Sequence, residues 1–135
     1  MKALEQQVKN HRAITRPVIQ DEIDALQASL GFALSNDYCE YLNRFGIIAH
    51  DAYETYGLGV PATSHLNVLR MYKDLSADSS YPANSVPVLE LGDGQYYLYD
   101  CQDKQIVLWA TPNGGVVRTL KDDLEQFFLK HIFEK

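Results

Sequence analysis

Four histidines and two cysteines are the side chains here best suited to metal, proton-transfer or nucleophilic chemistry. His11, His50, His65 and His131 fall into no HExxH, HxH or Cys/His spacing, so a zinc site would have to be assembled wholly from distant residues. His50 and Asp51 are adjacent, but neighbours on a strand or turn point different ways, and the two read as an exposed loop pair. Cys39 stands near the start of a predicted helix, where the dipole lowers a thiol pKa and His50 or His65 could act as base. It also lies beside the apolar positions Tyr38, Tyr41 and Leu42, and we read it as a half-buried small hydrophobe. Cys101, inside a hairpin connection, reads as incidental.

Glycosidase and metal chemistry need two carboxylates facing one cleft. Asp21, Glu22 and Asp24 face solvent opposite Ile23 and Leu26, and Asp122 with Asp123 suits a helix start. Asp93, Asp100 and Asp103 fall at or near predicted turns, where Asp serves local hydrogen bonding. The glycines of Gly92-Asp93-Gly94 and Gly114-Gly115 are each followed by a strand, whereas phosphate cradles lead into a helix, so they read as turns. No cofactor or metal site is expected.

These residues must be positioned by a chain of 135 residues, near the commonest domain size, with ordinary apolar and charged content. One domain spanning residues 1–135 follows. The formal charge of −6 and the absence of long like-charge runs provide no basic stripe for nucleic acid or an anionic membrane. An acidic balance suits a basic protein partner. The first residues, MKALEQQVKNHRAI, interleave charge through their length, unlike a signal peptide, and no apolar run approaches a membrane span. Two distant cysteines without a CxxC read as reduced thiols. A cytoplasmic location is the expectation.

Leu4 and Val8 predict a short surface helix over residues 2–10. Ile19, Ile23, Leu26 and Leu30 predict a second, entered through Thr15 and Pro17 and stopped by Gly31. Ser35, Asn36 or Asp37 can cap a third, whose apolar face is Tyr38, Tyr41, Leu42 and Phe45, and Gly46 ends it. This corner is not a DNA reader, because its outward positions include Asp37, Glu40 and a single arginine, Arg44. Residues 52–59, AYETYGLG, read as a strand broken by glycine, and residues 64–75 as a helix capped by Thr63 or Ser64. A polar loop of about ten residues, SADSSYPANS, follows.

Beyond it the period changes from helical to alternating. VPVLEL, QYYLYD, QIVLWA and VVRTL, separated by GDG, CQDK and PNGG, predict an antiparallel meander, and Lys121–Lys130 closes with a helix. Tyr96, Tyr97, Tyr99 and Trp109 alternate on these strands, so about half should enter the core and the rest form an exposed aromatic patch.

This order of elements resembles the SUKH superfamily over residues 17–131. Leu30, Gly31, Leu34, Asp37, Tyr38, Leu42, Gly46, Tyr56, Gly57, Leu58, Gly92, Gly94, Tyr96, Asp100 and Trp109 occupy matching places. Two departures are Ser35 for the usual proline and Phe45-Gly46-Ile47 for an asparagine-glycine-glycine ending. The resemblance implies a single α+β domain with an antiparallel sheet packed by helices. Bacterial members mostly look like cytosolic immunity proteins that bind and block a polymorphic or contact-dependent toxin domain, often a nuclease, and no shared catalytic residues carry over. The chain is therefore expected to be a non-enzymatic protein-binding domain. The alternative is an interaction or regulatory domain without a toxin. From loop position and aromatic character, the candidate partner contacts are Asp51, Tyr53, Glu54, Asp93, Tyr97 and Tyr99.

Overall fold

Ser35 sits in an extended conformation just ahead of Asn36 and its hydroxyl accepts the Tyr38 N–H, so helix α3 starts there, at Asn36, and runs to Arg44. Its apolar face, Tyr38, Tyr41 and Leu42, is fully buried. The computed structural model describes residues 1–134. Helix α1 (Lys2–Asn10) precedes a short strand β1 (Ile14–Thr15), and α2 (Gln20–Leu30) ends on Gly31 at φ +81. After α3 come β2 (Ile48–His50), β3 (Tyr53–Glu54) and α4 (Val68–Leu75). Strands β4 (Ser85–Gly92), β5 (Gln95–Asp100), β6 (Gln105–Ala110) and β7 (Gly115–Leu120) form the predicted antiparallel meander in sequence order. Helix α5 (Leu124–Phe128) opens with a reciprocal cap between Asp123 and Gln126 and passes into a π-helical turn, Leu129–Phe133.

The first half departs from the sequence reading in four places. Helix α1 is not among them: it lies on the surface as expected, with Leu4 alone wholly buried where the helix packs on α5 and the π turn. Ile19 flanks α2 instead of joining its stripe and is mostly exposed. The region of residues 52–59 forms only two residues of strand, since beyond Glu54 the backbone turns inward to Val88 and Asn67. Helix α4 starts later than predicted because Asn67, not Thr63 or Ser64, accepts the Arg70 N–H. Strands β1 and β2, unread in the sequence, pair with β3 in a small antiparallel sheet of order β1-β2-β3.

The meander is covered on both faces. One face meets α3 and α5, where Tyr97 lies 5.0 Å from Phe127 and Tyr99 stacks 6.2 Å from Tyr38. Over the other runs the 76–84 segment, read as a polar loop but packed as a strap. Tyr81 meets the Trp109 ring edge-on at 5.2 Å, and the Trp109 indole N–H donates to the Ser80 carbonyl at 3.2 Å. Asp78 fixes the strap by accepting from the Thr111 hydroxyl at 2.5 Å and from the Ser80 N–H at 2.8 Å. These bonds hold its carboxyl below the usual carboxylate range.

Candidate partner-binding surface

The β2–β3 hairpin turns through Asp51 and Ala52, with His50 opposite Tyr53 and Asp51 at φ +52, a left-handed conformation that aspartate tolerates. Directly after it Thr55 is wholly buried, its hydroxyl oxygen accepting the Ile48 N–H at 2.8 Å and lying 2.6 Å from the Tyr41 hydroxyl. Tyr41 also donates to the Tyr56 carbonyl at 2.7 Å. The hairpin is thus anchored from beneath by α3 while Asp51, Tyr53 and Glu54 remain exposed along its ridge.

A depression lies on each side of this ridge. One, of about 180 Å³, separates Tyr53, Glu54 and Tyr56 from Leu89 and Glu90 on β4, with His65 and Leu66 closing it. The other, of about 320 Å³, lies between the hairpin and β1, lined by Ile14, Ala49, His50 and Asp51. Ion pairing across the ridge is sparse: His65 Nε2 is 3.7 Å from Glu54, and His50 Nε2 is 3.5 Å from Asp51. The result is a rigid, acidic, partly aromatic projection, suited to a basic surface through charge and tyrosine contact.

The structure brings together Asp51, Tyr53 and Glu54 but not the other three candidates. Asp93 is exposed at the β4–β5 turn at φ +53, between Gly92 and Gly94, and lines neither depression. Tyr97 and Tyr99 are corrected outright: they are 3% and 0% exposed. Both rings alternate onto the face of β5 that α3 and α5 cover, so neither reaches the surface. The Tyr99 hydroxyl lies 3.1 Å from the Ser35 hydroxyl, and Tyr97 is wedged against Phe127 and His131. Missed by the sequence reading were Tyr56, His65 and Glu90, which meet at the first depression only because the chain after β3 runs back along β4, where Tyr56 N–H donates to Val88 at 3.1 Å. The tyrosine-glycine pair at Tyr56-Gly57 was the available signal.

Neither thiol is set up as a nucleophile. Burial, then the charge of Asp24, pushes Cys39 up, and burial pushes Cys101 up to about 11. Among the described residues no three His, Cys, Asp or Glu side chains are grouped to hold a metal ion, and no helix is long and apolar enough to cross a membrane.

The fold is shared with a protein from Pseudomonas syringae pv. tomato known from its crystal structure, at TM-score 0.75 and 14% identity over 97% of this chain and 99% of that one. No curated protein matches the chain. The family profile described as SUKH_5, SMI1-KNR4 cell-wall, matches residues 1–134, and with that span the chain belongs to the SUKH superfamily.

Proposed function

We propose that this protein is a cytoplasmic immunity protein that binds and neutralises a cognate toxin domain, acting by occupying the toxin's surface and not by catalysis. The observation that carries the reading is the anchored acidic ridge of Asp51, Tyr53 and Glu54, presented by a SUKH fold. A net charge of −6 would steer the chain onto a basic partner such as a nuclease, raising the association rate above that of an uncharged pair. The raised thiol pKa values oppose a cysteine-nucleophile mechanism. A non-catalytic interaction or regulatory domain without a toxin partner is the second reading, favoured by the cell-wall description of the family.

The test is co-expression with the toxin domain encoded beside the gene, scoring cell survival and co-purification together. Survival with a stable complex supports immunity. Killing without binding, against every neighbouring candidate, favours the regulatory reading.

A further inference from the structure

We propose that the depression between the β2–β3 hairpin and β4 is a receptor for one arginine side chain of the protein partner, with Glu54 and Glu90 pairing with the guanidinium and the Tyr56 hydroxyl accepting a further N–H. The site deepens the toxin-binding reading and rests on it only for the source of the arginine.

Size selects a single side chain. A volume of about 180 Å³ lies below the range of about 300–1,000 Å³ that holds a small-molecule ligand. Charge selects a cation. The lining holds two exposed carboxylates, Glu54 and Glu90, and its one basic group, His65, sits beside Glu54. Glu90 has no ion-pair partner among the described residues.

The independent pointer is Tyr56. The residue is only 4% exposed, yet its hydroxyl makes no hydrogen bond among the described residues. Unlike the Tyr38 hydroxyl, which is sealed from solvent without a partner, the Tyr56 hydroxyl keeps some solvent access. Its hydroxyl therefore has an opening, and the lined space beside it is this depression. A hydroxyl on a side chain this buried, without a protein partner and opening beside two carboxylates, is free to accept a hydrogen bond from a ligand that enters the depression. Burial first, and then the charge of Glu90, which lines the same depression, raise the Tyr56 phenol pKa.

Guanidinium fits this acceptor set better than the other cations. Its five donors lie in a plane and can reach three separated acceptors, and it stacks on aromatic rings such as Tyr53 at the rim. A lysine ammonium is a compact, strongly hydrated point charge, and a metal ion would need a ligand group that the described residues do not assemble.

The test titrates the full chain with N-acetyl-arginine methylamide at constant ionic strength, following backbone amide NMR shifts. The isosteric, neutral N-acetyl-citrulline methylamide and the lysine analogue serve as comparisons. The arginine compound should shift the amides of residues 53–57 and 89–91 saturably, with a dissociation constant on the order of millimolar. Citrulline should leave them in place. Glu90→Gln should weaken binding about tenfold and Tyr56→Phe, which keeps the buried ring, several-fold. Equal shifts from citrulline, equal affinity for lysine, or unchanged affinity in Glu90→Gln would each overturn the assignment. No toxin is present in this experiment. Arginine binding alongside failed neutralisation would leave the receptor standing and remove the toxin reading, and the reverse pair of results would remove the receptor alone.

Discussion

The carbonyl oxygen of Gly46 lies 1.6 Å from where a Cβ on Gly57 would sit. These glycines, one closing α3 and the other following the hairpin, let two backbones touch, and Leu58 N–H donates to Gly46 at 3.0 Å across the contact. A Cβ on Gly46 would in turn meet the Arg16 carbonyl oxygen at 1.8 Å, so three chain segments converge there. The hairpin and Tyr56 owe their placement to this knot.

Gly57→Ala should therefore destabilise the fold by about 3 kcal/mol or more, because both atoms in conflict are fixed by backbone and cannot swing away. Gly31→Ala is the comparison. Gly31, unlike Gly57, has positive φ, +81, but nothing stands within 4 Å of its Cβ position, and the cost should be about 1 kcal/mol from the backbone alone. Urea midpoints at equal m-value read both. A loss at Gly57 no larger than that at Gly31 would show that the close contact with Gly46 does not set the requirement at Gly57.

Two tyrosines on successive turns of α3 should respond in opposite directions to loss of their hydroxyls. Tyr38 is fully buried and its hydroxyl has no partner, so Tyr38→Phe removes an unpaid desolvation and should stabilise by about 1 kcal/mol. Tyr41 bonds the Thr55 hydroxyl and the Tyr56 carbonyl, so Tyr41→Phe should cost about 1–3 kcal/mol and loosen the hairpin above it. Thermal midpoints of the two variants check the contrast. A loss in Tyr38→Phe would mean that its hydroxyl is satisfied in solution.

The same pair shows how much the sequence could tell. Spacing alone placed Tyr38, Tyr41, Leu42 and Phe45 on one buried face, and glycine-rich turns marked the meander strands to within a residue. What spacing does not carry is which faces acquire a second cover. The strap was polar in composition, yet Tyr81 and the Ser80 backbone seal Trp109 on one face of the meander, while α3 and α5 cover Tyr97 and Tyr99 on the other. β1 and β2 are two and three residues long, too short for any alternation to register. The ridge was legible at Asp51, Tyr53 and Glu54 because all three lie in one turn. Glu90 was not, because its proximity to them depends on the backbone crossing from Tyr56 to Val88.

His131 on the π-helical turn stacks 4.3 Å from Phe127 and 4.9 Å from Tyr97. Burial lowers its pKa, with Arg118 and Lys130 adding to the effect and Asp122 opposing it. The unfolded chain then takes up a proton before the folded one. Above about pH 6.5 both states are neutral and the shift has no effect; as pH falls below that value the unfolded state binds more protons and stability declines, until the folded pKa is passed. His131→Phe, which keeps an aromatic ring against Phe127, should flatten the difference between denaturation midpoints at pH 7 and pH 5 relative to the parent chain. An unchanged pH slope in the variant would assign the acid sensitivity elsewhere.

Charge reversal separates the ridge from the rest of the acidic surface. Asp51 and Glu54 stand on the anchored hairpin, whereas Asp93 sits on a turn outside both depressions. If a basic toxin docks on the ridge, Asp51→Lys with Glu54→Lys should cut the association rate by roughly tenfold or more at low salt and abolish protection, because steering acts on encounter. The deficit should shrink as ionic strength rises and the Debye length falls to about 8 Å near physiological salt. Asp93→Lys should slow association less, through net charge alone. Tyr97→Ala should lower stability by several kcal/mol through its lost core packing while leaving the association rate of the folded fraction intact. Stopped-flow association over a salt series measures the association rates of all three variants, and a double reversal that associates at the parent rate at every salt concentration would move the interface off this hairpin.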